Sequence, residues 1–91
     1  MNKRRLLQIT KALVDSRRLD ILEQIAAAEG EISCIDLRAQ IPISRATLSH
    51  HIKELATAGL IERRRESKYI FLRMRRKTWS EYLKRLKKIA L

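Results

Sequence analysis

Two adjacent histidines and one cysteine are the side chains of this sequence with the most versatile chemistry. His50 and His51 are neighbours, and neighbouring residues of a helix point about 100° apart. Chelation on a helix favours positions three or four apart, so this pair is not expected to hold a metal. Cys34 has no second cysteine, which excludes an intrachain disulfide and a multi-cysteine zinc site. We expect Cys34 to be a small buried hydrophobic residue, since a redox role would require exposure and a lowered pKa.

Basic side chains are the dominant chemical feature of the chain. Its 91 residues carry 21 Lys and Arg against 10 Asp and Glu, a formal net charge of +11, and 45% of them are hydrophobic. That hydrophobic share is ordinary for a folded protein, so the sequence predicts one small domain over residues 1–91. Residues 45–77 hold ten basic residues against three acids, whereas residues 21–44 hold one against four. A folded domain this basic favours a polyanionic partner, most often nucleic acid.

The sequence offers little for catalysis or for insertion into a membrane. It has no glycine-rich phosphate loop, no paired-carboxylate spacing and no nucleophile motif, so we expect neither an enzyme nor a bound cofactor. No apolar run approaches the ~18 residues of a transmembrane helix. The charged N-terminal stretch does not read as a signal peptide, and we expect a cytoplasmic protein.

Hydrophobic spacing and capping residues predict the elements that position these groups. Helices are expected over about 3–14, from 15 towards 30, over 33–40, over 44–58 and from 78 onward, with a hairpin of strands 60–65 and 69–73. The expected N-caps are Asp15, Ser33 and Ser44, the expected C-terminal stops are Gly30 and Gly59, and a capping box is read at Thr78-Trp79-Ser80-Glu81. This order predicts a mainly α fold with a small β-hairpin (α+β). It is a winged helix-turn-helix of about five helices plus a two-stranded wing.

A family resemblance is carried by residues in and around this helix-turn-helix. They are Ile43-Ser44, Thr47-Leu48-Ser49-His50-His51-Ile52, Leu55, Ala58-Gly59-Leu60-Ile61 and Arg64-Arg65-Glu66-Ser67-Lys68-Tyr69, with Asp15-Ser16-Arg17-Arg18 and Ile21-Leu22 upstream. On these residues, which span nearly the whole chain, the sequence resembles the ArsR/SmtB family of bacterial winged-helix transcriptional regulators. It departs from the family at Ser67, where the wing usually has glycine, and at Ser16, where proline is common.

The resemblance implies a homodimeric repressor that binds double-stranded DNA, and many members of the family release DNA on binding a metal or metalloid. One family sensor site is a Cys-x-Cys pair, and the aligned positions here are Ser33 and Ile35, with Cys34 between them. A soft metal needs converging thiolates, which one cysteine per chain cannot supply. A second family site uses acids and histidines of the last helix, where this chain has Glu81 and no histidine. Neither metal route is expected, and the inducer is left unassigned.

The helix that follows Ser44 is expected to enter the major groove, because Leu48, Ile52 and Leu55 would face inward. Its expected DNA-contacting residues are Ser44, Arg45, Ala46, Thr47, Ser49, His50 and Lys53. Arg45 is the candidate for reading guanine, although an arginine at a helix start is often simply solvated. Short hydroxyls near a helix start contact phosphates, which is the role assigned to Ser44 and Thr47. His51 falls nearer the inner edge and is expected to be packed or bound to phosphate.

The wing and the last helix complete the predicted interfaces. Arg64, Arg65 and Lys68 near the wing tip are the candidates for phosphate or minor-groove contacts. Because alternate residues of a strand face opposite ways, only part of the arginine cluster can face DNA. The expected dimer interface consists of Leu6, Trp79, Tyr82, Leu83, Leu86 and Ile89.

Two other functions remain open on the sequence alone. The basic surface also suits an architectural or RNA-binding module that tolerates many sequences. The basic, amphipathic last helix with Trp79 also suits an adaptor for a membrane surface or another protein. Dimerisation is favoured for that helix, because a thin core gains from association. Two-fold symmetry would also let two recognition helices meet half-sites about 34 Å apart.

Overall fold

The computed structural model describes residues 1–90, in which five helices and three short strands follow one another. The helices are α1 (Lys3–Ala12), α2 (Ser16–Ala27), α3 (Cys34–Gln40), α4 (Arg45–Thr57) and α5 (Arg76–Ala90). The strands are β1 (Ile32–Ser33), β2 (Ile61–Glu66) and β3 (Tyr69–Met74). The expected winged helix-turn-helix is confirmed, with α3 and α4 as the helix-turn-helix and β2 and β3 as the wing.

Side-chain caps set the starts of three helices where the sequence predicted them. The oxygens of Asp15, Ser33 and Ser44 each accept a hydrogen bond from the backbone N–H three residues later, at 3.1–3.2 Å. The predicted cap at Thr78 is wrong, because α5 already begins at Arg76, one residue after β3 ends. The Trp79 N–H donates to the Arg75 carbonyl, which places the 78–81 segment within the helix.

The two glycines predicted as helix stops behave differently. Gly59 follows α4 with a φ of +78°, and the Leu60 N–H donates back to the Leu55 carbonyl at 3.0 Å. With the Gly59 N–H donating to the Ala56 carbonyl, this is a Schellman motif, and Gly59 ends α4 as predicted. Gly30 does not end α2, which stops at Ala27 with an extended C-cap at position 28. Its positive φ of +80° instead serves the loop that leads into β1.

The sheet has three antiparallel strands in the order β1-β3-β2, so the predicted two-stranded wing is joined by one strand that the sequence did not predict. The additional strand β1 pairs Ile32 with Leu72, and two residues are too few to show an alternating pattern in the sequence. In the wing, Glu66 pairs with Tyr69, leaving a two-residue turn. Ser67, its first residue, has a φ of +56°, a conformation that favours glycine.

The core lies where the helices pack against the inner face of the sheet. Its fully buried side chains are Ile9, Ile21, Ile25, Leu37, Leu55, Leu60, Ile61 and Leu72. They come from α1, α2, α3, α4, both wing strands and, for Leu60, the turn between α4 and β2, so the core fixes the wing relative to the helix-turn-helix. None of the helices within residues 1–90 combines the length and apolarity needed to cross a membrane.

Candidate nucleic-acid interface

Helix α4 and its N-cap expose most of their polar residues to solvent. Leu48, Ile52 and Leu55 are buried, as predicted, and anchor one face of the helix to the core. The side chains that the sequence predicted as DNA contacts are all exposed: Ser44, Arg45, Ala46, Thr47, Ser49, His50 and Lys53. Their exposure makes them available to a ligand, but their contacts with DNA stay a prediction.

The Ser44 hydroxyl is already engaged within the protein. It accepts from the Thr47 N–H at 3.2 Å and donates to the Thr47 Oγ1 at 2.8 Å. Thr47 keeps its own hydroxyl proton and lies in the first turn of α4. Of these two short hydroxyls, Thr47 is therefore the one free to donate to a phosphate.

The wing divides its arginines between two faces. Arg65 and Lys68 line one cleft with Arg45 and Ser49 of α4, so the structure brings these four predicted residues together. Arg64 points away from that cleft, because successive residues of a strand face opposite sides of the sheet. The structure thus joins two of the three predicted wing residues to α4.

Arg64 is held on its own face of the sheet by three partners. Its guanidinium pairs with Glu31 and, at 3.1 Å, with Glu66, and it lies 4.6 Å from the centre of the Phe71 ring. These hydrogen bonds raise the pKa of Arg64 above its ordinary value. The bond from Arg64 also lowers the pKa of Glu31. Arg64 therefore braces the wing against the loop before β1.

His51 is buried, with 6% of its surface exposed, while its neighbour His50 faces solvent. Arg18 Nε donates to His51 Nδ1 at 3.2 Å, and Arg18 Nη1 donates to the Ala12 carbonyl. Burial lowers the pKa of His51, partly offset by the nearby Asp15 carboxylate. His51 is thus packed, one of its two predicted roles, and helps tie α4 to the start of α2. Sequence reasoning missed Arg18, since 33 residues separate it from His51.

The turn between α3 and α4 is braced from α2. Arg17 Nη1 donates to the Pro42 carbonyl at 3.2 Å, across 25 residues of sequence. Two neighbouring arginines at the start of α2, Arg17 and Arg18, therefore hold the turn before α4 and the inner side of α4 itself. This support gives the exposed face of α4 a defined orientation.

The predicted dimer residues separate into buried and exposed groups. Leu6 and Tyr82 lie in the protomer's own core, and the Tyr82 hydroxyl is 2.8 Å from Thr10 Oγ1. A partner can add little further burial to either residue, and their assignment to the interface stays a prediction. Trp79 and Leu86 are half-buried against the core.

Leu83 and Ile89 remain exposed on α5, by 43% and 71%. Leu7 of α1, which the sequence analysis did not include, is 55% exposed. The sequence did offer a signal for Leu7, because it is an apolar residue next to the predicted Leu6 and the two differ only in the face of α1 that they occupy. These three residues form the unpartnered apolar set of α1 and α5.

No metal site is evident from the part of the chain that the structure describes. Within residues 1–90, no three His, Cys, Asp or Glu side chains converge on one point. Cys34 is half-buried at the start of α3, and burial raises the pKa of its thiol. A neutral thiol in this position is a weak nucleophile and a poor metal ligand.

Comparison with known proteins gives consistent matches for both sequence and fold. A family model described as a helix-turn-helix domain matches residues 13–64. The uncharacterized HTH-type transcriptional regulator YceK of Bacillus subtilis (strain 168) is 36% identical over 84% of this chain and 76% of its own length. An arsenical resistance operon repressor of Staphylococcus aureus is 38% identical over 72% of this chain, which spans 62% of that repressor.

Solved structures extend the match to nearly the whole chain. An ArsR-like transcriptional regulator from Rhodococcus sp. RHA1 has a TM-score of 0.83 at 26% identity, covering 93% of this chain and 78% of that protein. The homodimeric winged helix-turn-helix DNA-binding domain Mb0332 from Mycobacterium bovis, a possible ArsR-family regulator, has a TM-score of 0.74 at 24% identity. That match covers 96% of this chain and 82% of that domain.

Proposed function

Since this chain belongs to the ArsR/SmtB family of helix-turn-helix transcriptional regulators, we propose that it is a homodimeric, sequence-specific DNA-binding repressor of the cytoplasm. The proposal rests mainly on one observation, the common exposed surface of α4 and the wing tip. On that surface, Arg45 and Ser49 of α4 lie with Arg65 and Lys68 of the wing around one cleft. These are the residue types that contact bases and phosphates.

In this proposal α4 lies in the major groove. Arg45, at its first turn, donates to the acceptors of a guanine edge, and Ser49, His50 and Lys53 contact neighbouring bases or phosphates. Thr47 contacts the phosphate backbone with its free hydroxyl proton. Arg65 and Lys68 of the wing contact the flanking backbone, while Arg64 supports the wing from its other face.

A homodimer is supported by the apolar set left exposed on α1 and α5. Leu7 of α1 and Leu83 and Ile89 of α5 expose apolar surface on the two terminal helices, which meet at Thr10 and Tyr82. Burying it against the same surface of a second copy removes that area from water and creates a two-fold axis. The similar fold of the homodimeric domain from Mycobacterium bovis supports the same arrangement. Two copies of α4 would then meet half-sites about 34 Å apart.

In vitro selection of duplex DNA from a random pool, at near-physiological salt, tests the proposal. We expect enrichment of a two-fold symmetric motif whose half-site spacing reports the dimer geometry. Retention of DNA without an enriched motif would contradict sequence specificity and favour an architectural protein. Retention of no DNA would overturn the proposed function and favour an adaptor built on α5.

A further inference from the structure

A cleft of about 350 Å³ lies between α3, α4 and the wing. The buried side chains of Leu48 and Ile52 close the bottom of this cleft. Its apolar surface comes from the exposed side chains of Ile35 and Tyr69 and the half-buried side chains of Cys34 and Ile70, which together form an apolar floor. Because burial keeps the Cys34 thiol neutral, that residue adds apolar surface and no charge. The volume falls at the lower end of the range typical of small-molecule sites, roughly 300–1,000 Å³.

Four cations surround this floor. They come from three different elements: Arg38 from α3, Arg45 from α4, and Arg65 and Lys68 from the wing. All four are exposed, and within residues 1–90 none pairs with a carboxylate and no acid lines the cleft. The outer face of the sheet differs, since its Arg64 and Arg73 are neutralised by glutamates. The cleft therefore keeps an uncompensated positive potential beside apolar surface.

We propose that this cleft binds a small organic anion with an apolar body. The carboxylate, sulfonate or phosphate head of such a ligand meets the basic rim, and its body covers the apolar side chains of Ile35, Tyr69 and Ile70. Both parts of the ligand are needed to fill the site. An inorganic anion would leave the apolar floor uncovered, and a neutral hydrocarbon would leave the cations unpaired. Arg38, which no predicted DNA contact uses, belongs to this site alone.

Occupation of the cleft would regulate DNA binding by direct competition. Arg45, Ser49, Arg65 and Lys68 line the cleft and are also the residues assigned to DNA. A ligand whose anionic head pairs with these cations competes with DNA for the same side chains, so the ligand and DNA cannot be bound at the same time. This regulatory step rests on the proposed function, whereas binding of the anion itself does not.

Binding is tested first without DNA, on the full chain, with 8-anilinonaphthalene-1-sulfonate as the probe. Its neutral analogue N-phenyl-1-naphthylamine has the same aromatic body and serves as the matched control ligand. We expect the sulfonate to shift amide resonances within 33–38, 45–52 and 65–70 in ¹H–¹⁵N spectra, with much weaker shifts from the neutral analogue. Equal shifts from both ligands, shifts confined to α1 and α5, or no shifts would each overturn the proposal.

Substituting single cations tests whether the positive charge that binds the sulfonate lies in the cleft. Arg38→Gln is expected to weaken sulfonate binding about two- to five-fold, the effect of one exposed charge. The control Arg4→Gln removes a cation from the exposed side of α1 and should leave the affinity unchanged. Equal effects of the two substitutions would indicate general charge attraction and would overturn a site in the cleft.

Displacement of a duplex labelled with a red dye tests the competition by fluorescence anisotropy. The sulfonate is expected to release the duplex, whereas sodium sulfate at equal ionic strength releases less, and Arg38→Gln should raise the sulfonate concentration required. Binding of the probe in the cleft without release of the duplex would overturn the regulatory step. Failure to bind any duplex would instead contradict the proposed function, while the spectra without DNA still decide the cleft.

Discussion

Helices α4 and α5 are both amphipathic and carry basic residues, but the apolar residues of α4 are buried whereas some of those of α5 are exposed. In α4, Leu48, Ile52 and Leu55 are buried, so the polar face is the only one left for a partner. In α5, Tyr82 is buried while Leu83 and Ile89 stay exposed among lysines. A basic face on an anchored helix indicates a surface for an anionic ligand. On a helix that also exposes apolar residues, a similar basic face does not by itself identify the partner, and the apolar residues indicate contact with another protein chain.

Truncating one leucine in each helix is the strongest test of this contrast. Leu55→Ala is expected to lower the free energy of unfolding by about 2–5 kcal/mol, since it opens a cavity in the core. Leu83→Ala should cost the protomer less than about 1 kcal/mol, because its side chain is already partly in solvent. Urea denaturation at protomer concentrations low enough to dissociate the dimer measures both values, because unfolding of a dimer also includes the free energy of association. Sedimentation equilibrium at higher concentration should show weaker self-association for Leu83→Ala. Similar unfolding costs for the two variants would remove the distinction between the helices.

Removing one cation from each helix tests the contrast through DNA. Arg45→Ala is expected to cost about 1–3 kcal/mol of binding to the selected duplex and to relax the preference at one base pair. Lys84→Ala removes an exposed cation of α5 and should leave the base preference unchanged. Affinities are compared for the selected and scrambled duplexes at one salt concentration. A uniform loss on both duplexes would reassign Arg45 to a phosphate contact.

The wing offers a finer version of the same test, because two neighbouring arginines lie on opposite faces. Arg65→Ala should weaken DNA binding and make the salt dependence shallower by about 0.9 in log–log slope, the effect of one lost phosphate contact. Arg64→Ala should leave that slope unchanged, since its guanidinium pairs with Glu31 and Glu66. The measurement is a salt titration of binding for both variants. A reduced slope for Arg64→Ala alone would exchange the roles of the two residues.

Local patterns in the sequence were enough to predict α4 and the turn before it. The Ser44 cap, Pro42, the spacing of Leu48, Ile52 and Leu55, and Gly59 act through contacts within a few residues. Strand β1 was missed because two residues carry no period, and its pairing with Leu72 spans 40 positions of sequence. The start of α5 was misplaced because only Arg75 separates β3 from the helix, and no Ser, Thr, Asp or Asn marks the helix start at Arg76.

The candidate site was predicted less completely than the fold. Alternation along β2 indicated that its arginines would divide between two faces, but not which of them would meet α4. That choice depends on the register of β2 with β3, which puts Arg65 on the face of the buried Ile61 and Leu72 and leaves Arg64 on the other face, beside Glu31 and Phe71. The cleft likewise joins residues near positions 34, 48 and 70, and only tertiary packing brings them together.

The smallest expected effect concerns the two histidines of α4, one buried and one exposed. Burial lowers the pKa of His51 below its ordinary value of 6.5, so the unfolded chain binds a proton more readily than the folded chain. The resulting stabilisation is present above pH 6.5 and is lost as the pH falls from there through the pKa of the folded state. The lowered carboxyl pKa values of Asp15 and Glu31 act below pH 4.5, outside this window.

Urea denaturation between pH 8 and pH 5.5 measures this effect of His51. The wild-type free energy of unfolding should decline across that interval, because a protonated His51 could no longer accept the hydrogen bond from Arg18. His51→Gln should flatten the decline, whereas His50→Gln, on the exposed face, should preserve it. A decline that survives His51→Gln and disappears with His50→Gln would show that the exposed face of α4, rather than its anchored side, responds to pH.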